Sequence, residues 1–101
     1  MFNDLGAVPM TEINRNKLRE AMYDLKTCME SKPVMCYLVS KRILTNDEQS
    51  EIELNTTNDC QVVKLIKLLQ RKSDSAFSTF IEALMKTEQW HAVTIIMESC
   101  E

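Results

Sequence analysis

The chain reads as an all-α bundle of six short helices, and three observations carry that reading. Its 101 residues include one glycine and two prolines, too few turn formers for the closely spaced reversals of an all-β fold. Apolar residues recur at helical spacing along most of its length. Polar clusters able to cap helices separate these segments, and connections that short favour antiparallel neighbours in a bundle. The length allows one domain with a single core and leaves little for a deep cleft as well.

Residues 1–10 read as a flexible N-terminal arm and 11–99 as the domain. The first helix starts near Thr11, whose hydroxyl can cap it with Asn14 three residues on. Leu18, Met22, Leu25 and Met29 lie on one helical stripe, with Arg15, Lys17, Arg19 and Lys26 mostly off it, towards solvent. Pro33 suits the first turn of a second helix over 33–41, where its missing N–H costs nothing. Val34, Met35, Tyr37 and Leu38 are its inward candidates, and Ile43-Leu44 anchors the turn that follows. Thr45 and Glu48 form a capping box at the head of a third helix over 46–54, which buries Ile52 and Leu54. The polar turn Asn55-Thr56-Thr57-Asn58-Asp59 offers caps for a fourth helix over 58–71, with Val62, Leu65, Ile66 and Leu69 inward. Ser73-Asp74 opens a fifth, with Phe77, Phe80, Ile81 and Leu84 inward. Thr87-Glu88-Gln89 separates it from a sixth, whose apolar residues are Trp90, Val93, Ile96 and Met97. No internal repeat is visible, which argues against a solenoid.

Composition narrows the function. A net charge of −3 argues against nucleic-acid binding, which draws on a basic excess. No apolar run approaches the roughly 20 residues of a membrane span, and the first ten residues lack the basic-then-apolar pattern of a signal peptide. Cys28, Cys36, Cys60 and Cys100 form no C-x-x-C pair and read as reduced cytosolic thiols or small core residues. A zinc site needs four ligands at workable spacing, and His91 is the single histidine. His91 with Cys60 or Cys100 is a poor candidate for a base and nucleophile. Gly6 is the single glycine, so there is no phosphate-binding loop. The expectation is a cytoplasmic protein with no catalytic residues, no metal and no cofactor.

Charge is distributed unevenly. Asp47, Glu48, Glu51 and Glu53 make the third helix acidic, and no lysine or arginine lies between Thr45 and Val63. Lys64, Lys67, Arg71 and Lys72 then make the fourth basic. Arg15, Lys17 and Arg19 would join that face if the first and fourth helices pack side by side. A positive surface and a separate negative one permit head-to-tail, non-closing association, with complementary potentials selecting partners and speeding encounter. A charged face is also what any solvated helix presents, and early carboxylates favour the helix dipole.

Four segments resemble the caspase recruitment domain, a branch of the death-domain superfamily. Asn16-Lys17-Leu18-Arg19 is similar to the start of that family's long first helix. Lys41-Arg42-Ile43-Leu44-Thr45, followed by Ile52, is similar to its turn into helix three. Val63-Lys64-Leu65-Ile66-Lys67-Leu68-Leu69 is similar to its helix four. Arg71-Lys72-Ser73-Asp74-Ser75-Ala76-Phe77, with Phe80 and Ala83-Leu84, resembles its helix-five signature. Arg42 and Ser73 stand where the family often has glycine. The resemblance implies a six-helix antiparallel bundle of death-fold type, with helices one and four side by side. It further implies pairing with another domain of the same family, on an initiator caspase or a signalling adaptor, and self-association alongside it. If the chain is complete, no effector domain is attached and the expected role is a regulator or decoy of caspase activation or of apoptotic and innate-immune signalling. The alternative is the recruitment prodomain of an initiator caspase or of an apoptosome or inflammasome adaptor. A plain helical bundle holding an unrelated partner or a ligand in its core is the reading outside this class.

Overall fold

The computed structural model describes residues 10–98, which form six helices: α1 (Glu12–Cys28), α2 (Ser31–Ser40), α3 (Asn46–Glu53), α4 (Asn58–Leu69), α5 (Asp74–Lys86) and α6 (Trp90–Glu98). Among the described residues there is no strand. Of the expected arm over 1–10, only Met10 is described. It is buried, and its N–H donates to the Lys72 carbonyl at 2.8 Å, so Met10 belongs to the packed body.

Local signals start three of the six helices. The Thr11 hydroxyl accepts from the Asn14 N–H at 3.4 Å, and that of Thr57 from the Cys60 N–H at 3.2 Å. Thr45 and Glu48 form the full capping box, both bonds at 3.0 Å. These side chains satisfy amides that have no partner within their own helix. α2 starts two residues earlier than the spacing predicts, at Ser31, which leaves Pro33 in its first turn. α4 ends at Leu69 rather than 71, because Arg71 and Lys72 bond back to the Leu68 and Leu69 carbonyls in a tight turn.

α1 packs on α4 and α6, α2 on α5 and α4, and α3 on α4. The core joins Leu18 and Leu25 of α1, Met35 and Leu38 of α2, and Phe80 and Leu84 of α5, all essentially inaccessible to water. Each Leu- or Phe-sized side chain buried this way contributes about 1.5–3 kcal/mol of transfer free energy. The expected inner stripe of α4 is buried throughout, as are Phe77, Phe80, Ile81 and Leu84 of α5.

Two inward assignments, Tyr37 and Leu54, need correction. Met35 is fully buried, whereas Tyr37 is half-buried, its ring 5.4 Å from the Lys41 ammonium and its hydroxyl near the Glu82 carboxylate. An amphipathic ring suits a rim better than an interior. Leu54 is 80% exposed, because α3 ends before it and the short helix turns only Ile52 inward. On α6 the buried residues are Ala92 and Ile96, while Trp90 and Met97 are exposed.

Candidate partner-binding surface

Two sets of long-range hydrogen bonds fix the register of α1 on α4, and with it the position of the basic candidates on those helices. At the start of α1, the Arg15 guanidinium donates to the Gln70 carbonyl at 3.3 Å and the Met10 carbonyl at 3.1 Å, and the Gln70 amide returns a bond to the Arg15 carbonyl. A cation donating to carbonyls at a helix C-terminus is favoured by both the free acceptors and the dipole. Asp74 closes the same end by accepting from the Thr11 N–H at 2.9 Å and the Asn14 amide at 3.0 Å. These bonds hold its carboxyl below the usual carboxylate range, the Thr11 backbone bond first and the Asn14 bond next.

The far end of α1 is clasped differently. α2 lacks a side-chain cap of its own, and its first amides are served by residues distant in sequence. The Ser31 N–H donates to Asn58 Oδ1 at 2.9 Å, and the Glu30 N–H to Gln89 Oε1 at 2.7 Å. Asn58 also donates to the Met29 carbonyl, Gln89 to the Glu30 carbonyl, and the buried Ser31 hydroxyl to Gln61. The start of α1 therefore meets the end of α4, and the end of α1 meets the start of α4. The two helices are antiparallel.

That register sorts the basic candidates. Arg15 is half-buried and committed to two carbonyls. The Lys17 ammonium lies 5.9 Å from the Phe77 ring centroid, at cation–π range. Arg19 is exposed and donates to the Asn16 side chain. Lys64, Lys67 and Arg71 are exposed along the outer face of α4. Lys26, assigned to solvent from its spacing, instead lies beside Cys60, Val63, Lys64 and Lys67 in a groove of about 320 Å³ between α1 and α4. The antiparallel pairing is the signal that would have found it, since it opposes the last turn of α1, not the first, to Lys64.

Two of the acidic candidates share a groove with the basic row. Glu48 bonds Lys72 at 3.3 Å, and Glu48 and Glu51 line a groove with Ile52, Lys64, Lys67, Leu68 and Arg71. Opposite charges flank one depression because α3 packs on α4. Asp47 and Glu53 are exposed and outside that lining. No catalytic arrangement emerges from the described thiols. Cys28 is half-buried, and burial, then Asp24, pushes its pKa up, away from the thiolate a nucleophile requires. Cys100 lies outside the described residues. No helix among them is long and apolar enough to cross a membrane.

A six-helix bundle of death-fold type, with its chemistry in charged ridges and open grooves, defines a protein-interaction module. The pattern of the family described as Caspase recruitment domain matches residues 14–98. The chain belongs to that family, whose domains bind other proteins and are not catalytic. It is 28% identical over 95 residues to caspase-2 of Gallus gallus, which covers 94% of this chain and 22% of that protein. It is 30% identical over 77 residues to apoptotic protease-activating factor 1 of Danio rerio, covering 76% of this chain and 6% of that one. The chain thus spans less than a quarter of the length of either relative.

Proposed function

We propose that this chain is a cytoplasmic homotypic interaction module that binds another caspase recruitment domain and regulates caspase activation by occupying it. The observation that carries this reading is the exposed row Lys64, Lys67 and Arg71 on α4, on a chain whose domain belongs to a pairing family. Arg15, Lys17 and Arg19 of α1 add positive charge to the same reading, Arg19 as an exposed side chain. Asp47, Glu48, Glu51 and Glu53 on α3 offer the opposite sign. A partner, or a second copy, can then join head to tail. Such pairs are weak when solvated and stronger when partly desolvated at an interface.

The surface described on α3 and α4 suits interaction, and occupancy of a partner is an action it can exert. Such occupancy fits a regulator or decoy in apoptotic or innate-immune signalling. A specific observation favours a second reading, recruitment in the service of a larger protein: both relatives carry the matching region as a small part of their length.

The test is a pull-down against a panel of caspase recruitment domains at near-physiological salt, with caspase-2-type and apoptotic protease-activating factor 1-type domains among them. It is repeated with Lys64→Glu, Lys67→Glu and Arg71→Glu combined. We expect the parent to capture one or two domains and the variant to lose them while keeping its helical circular dichroism. A variant that unfolds would make the row structural, and a parent that captures none would remove the pairing. Adding the chain to a caspase activation assay then decides the sign, a fall marking a decoy and a rise a recruiter.

A further inference from the structure

Thr45 is exposed at the head of α3, in extended backbone with φ −86° and ψ 162°. Asp47 and Glu48 follow it at two and three residues. A hydroxyl followed closely by carboxylates is the charge pattern that acidophilic protein kinases select. Five Ser or Thr residues have a carboxylate three positions on: Thr27, Thr45, Ser50, Thr56 and Thr79. The fold separates them. To enter a kinase, a hydroxyl and the residues after it must leave their own packing. After Thr27 that would pull out Met29, after Ser50 it would pull out Ile52, and after Thr79 Phe80 and Ile81, all buried. After Thr56 it would break Asn58 away from Ser31 and Met29. After Thr45 the residues are Asn46, Asp47 and Glu48, none of them buried. α3 has Ile52 as its single buried residue, so its first turn opens readily.

Opening that turn gives up the capping box and one ion pair. Glu48 Oε1 accepts from the Thr45 N–H at 3.0 Å, and Glu48 Oε2 lies 3.3 Å from the Lys72 ammonium. One carboxylate therefore joins the Thr45 amide to Lys72, and a group added to the Thr45 hydroxyl stands beside both.

We infer that Thr45 is a phosphorylation site for an acidophilic protein kinase, and that its phosphate takes Lys72 from Glu48. In the transfer, Thr45 Oγ1 attacks the γ-phosphorus of a nucleoside triphosphate. The new P–O ester bond forms as the bond to the β-phosphate oxygen breaks. The nucleoside diphosphate leaves, and the hydroxyl proton passes to the catalytic carboxylate of the kinase. The product lies at the N-terminus of α3, where negative charge is favoured and where the Glu48 N–H already donates to the Thr45 oxygen at 3.0 Å. A phosphate carries about two negative charges at neutral pH. It repels the Glu48 carboxylate and is the stronger acceptor for the Lys72 ammonium. α3 gains a stronger cap, and the Thr45 amide loses its acceptor. None of this requires a second domain to be bound.

The whole chain is incubated with a purified acidophilic Ser/Thr kinase and ATP, and phosphate at each position is followed in time by peptide mass spectrometry. We expect Thr45 to be modified at least about tenfold faster than Ser50, Thr56 or Thr57. Thr57 is an internal control. It opens α4 with Thr-Asn-Asp as Thr45 opens α3, but Cys60 stands where the other turn has Glu48. Glu48→Gln keeps the capping box and should slow Thr45 about tenfold. Asp47→Asn should slow it a few-fold, and it decides the matter alone if Glu48→Gln loses helicity. A faster site elsewhere, or a Thr45 rate indifferent to these carboxylates, would overturn the site. Cys60→Glu gives Thr57 the same four residues, yet Thr57 should remain slower than Thr45 because Asn58 is clasped. Equal rates would overturn the part given to local opening.

The exchange of partners is read on the phosphorylated chain. Hydrogen exchange followed by NMR should become faster at the Thr45 amide and slower at the Glu48 amide. Phosphorylation should raise the melting temperature of the parent more than that of Lys72→Gln. An unchanged Thr45 amide, or an equal rise in both proteins, would overturn the transfer of Lys72 to the phosphate.

Discussion

Arg42 and Glu88 hold φ angles of 65° and 62°, the left-handed region in which a Cβ crowds the backbone. Each follows the end of a helix, α2 and α5, where a chain reversal calls for this conformation and glycine is the usual residue. The resemblance marked Arg42 and Ser73 as stand-ins for glycine. Ser73 instead has φ −88° and ψ 176°, ordinary extended backbone, and the second strained site is Glu88. Arg42→Gly and Glu88→Gly should each stabilise the fold by about 1 kcal/mol, a rise of about 4–8 °C in melting temperature for a domain of this size. A fall in either melt would mean that the side chain holds the turn by a contact worth more than the strain. Asp74 makes a prediction in pH. Its folded-state pKa lies below the ordinary value of 3.8, so its bonds to Thr11 and Asn14 stabilise the fold above that value. That stability is lost as pH falls through the folded-state pKa. Urea midpoints of the parent and Asp74→Ala should therefore differ at pH 7 and converge as the solution is acidified below about 3.8. A gap independent of pH would show that the charge is irrelevant.

α3 and α2 begin in contrasting ways, and the difference explains what could be read from the sequence. α3 is capped in cis by residues three apart, a spacing visible in any sequence. Thr45→Ala should cost about 1 kcal/mol in chemical denaturation. α2 is capped in trans by Asn58 and Gln89, 27 and 59 residues from the amides they serve, and no periodicity reveals partners at that distance. Asn58→Ala leaves the Ser31 amide and the Met29 carbonyl without their partner. We expect a loss of about 1–3 kcal/mol, the cost of unsatisfied polar groups, with the helical content of the folded state unchanged. A loss near zero would mean that water replaces the amide. The same distinction governs the corrected inward residues. Helical spacing finds a stripe, as on α4 and α5, but it cannot say where a helix stops. That is why the spacing assigns Leu54, just past α3, to the interior, while the side chain lies in solvent.

Across the whole bundle, the core depends most on α5, whose Phe80 is fully buried. Phe80→Ala should destabilise by about 3–5 kcal/mol, against a total of roughly 5–15 for a domain of this kind. A negligible shift in melting would place the ring outside the core. The six helices and most of the core were legible because they follow from local spacing. The basic and acidic residues were legible as types, but their arrangement followed only from packing. Antiparallel pairing brought Lys26 to the α4 lysines, and the docking of α3 set Glu48 and Glu51 against them. The clasp around Glu30 and Ser31 has a consequence for motion. The first amides of a helix ordinarily fray and exchange with deuterium quickly. Here they are held by α4 and by the α5–α6 turn together, so they open only when those elements part. Their exchange should be as slow as that of the deepest core amides, and the joint between α1 and α2, which by position is a hinge, should move as one rigid piece with the rest of the molecule.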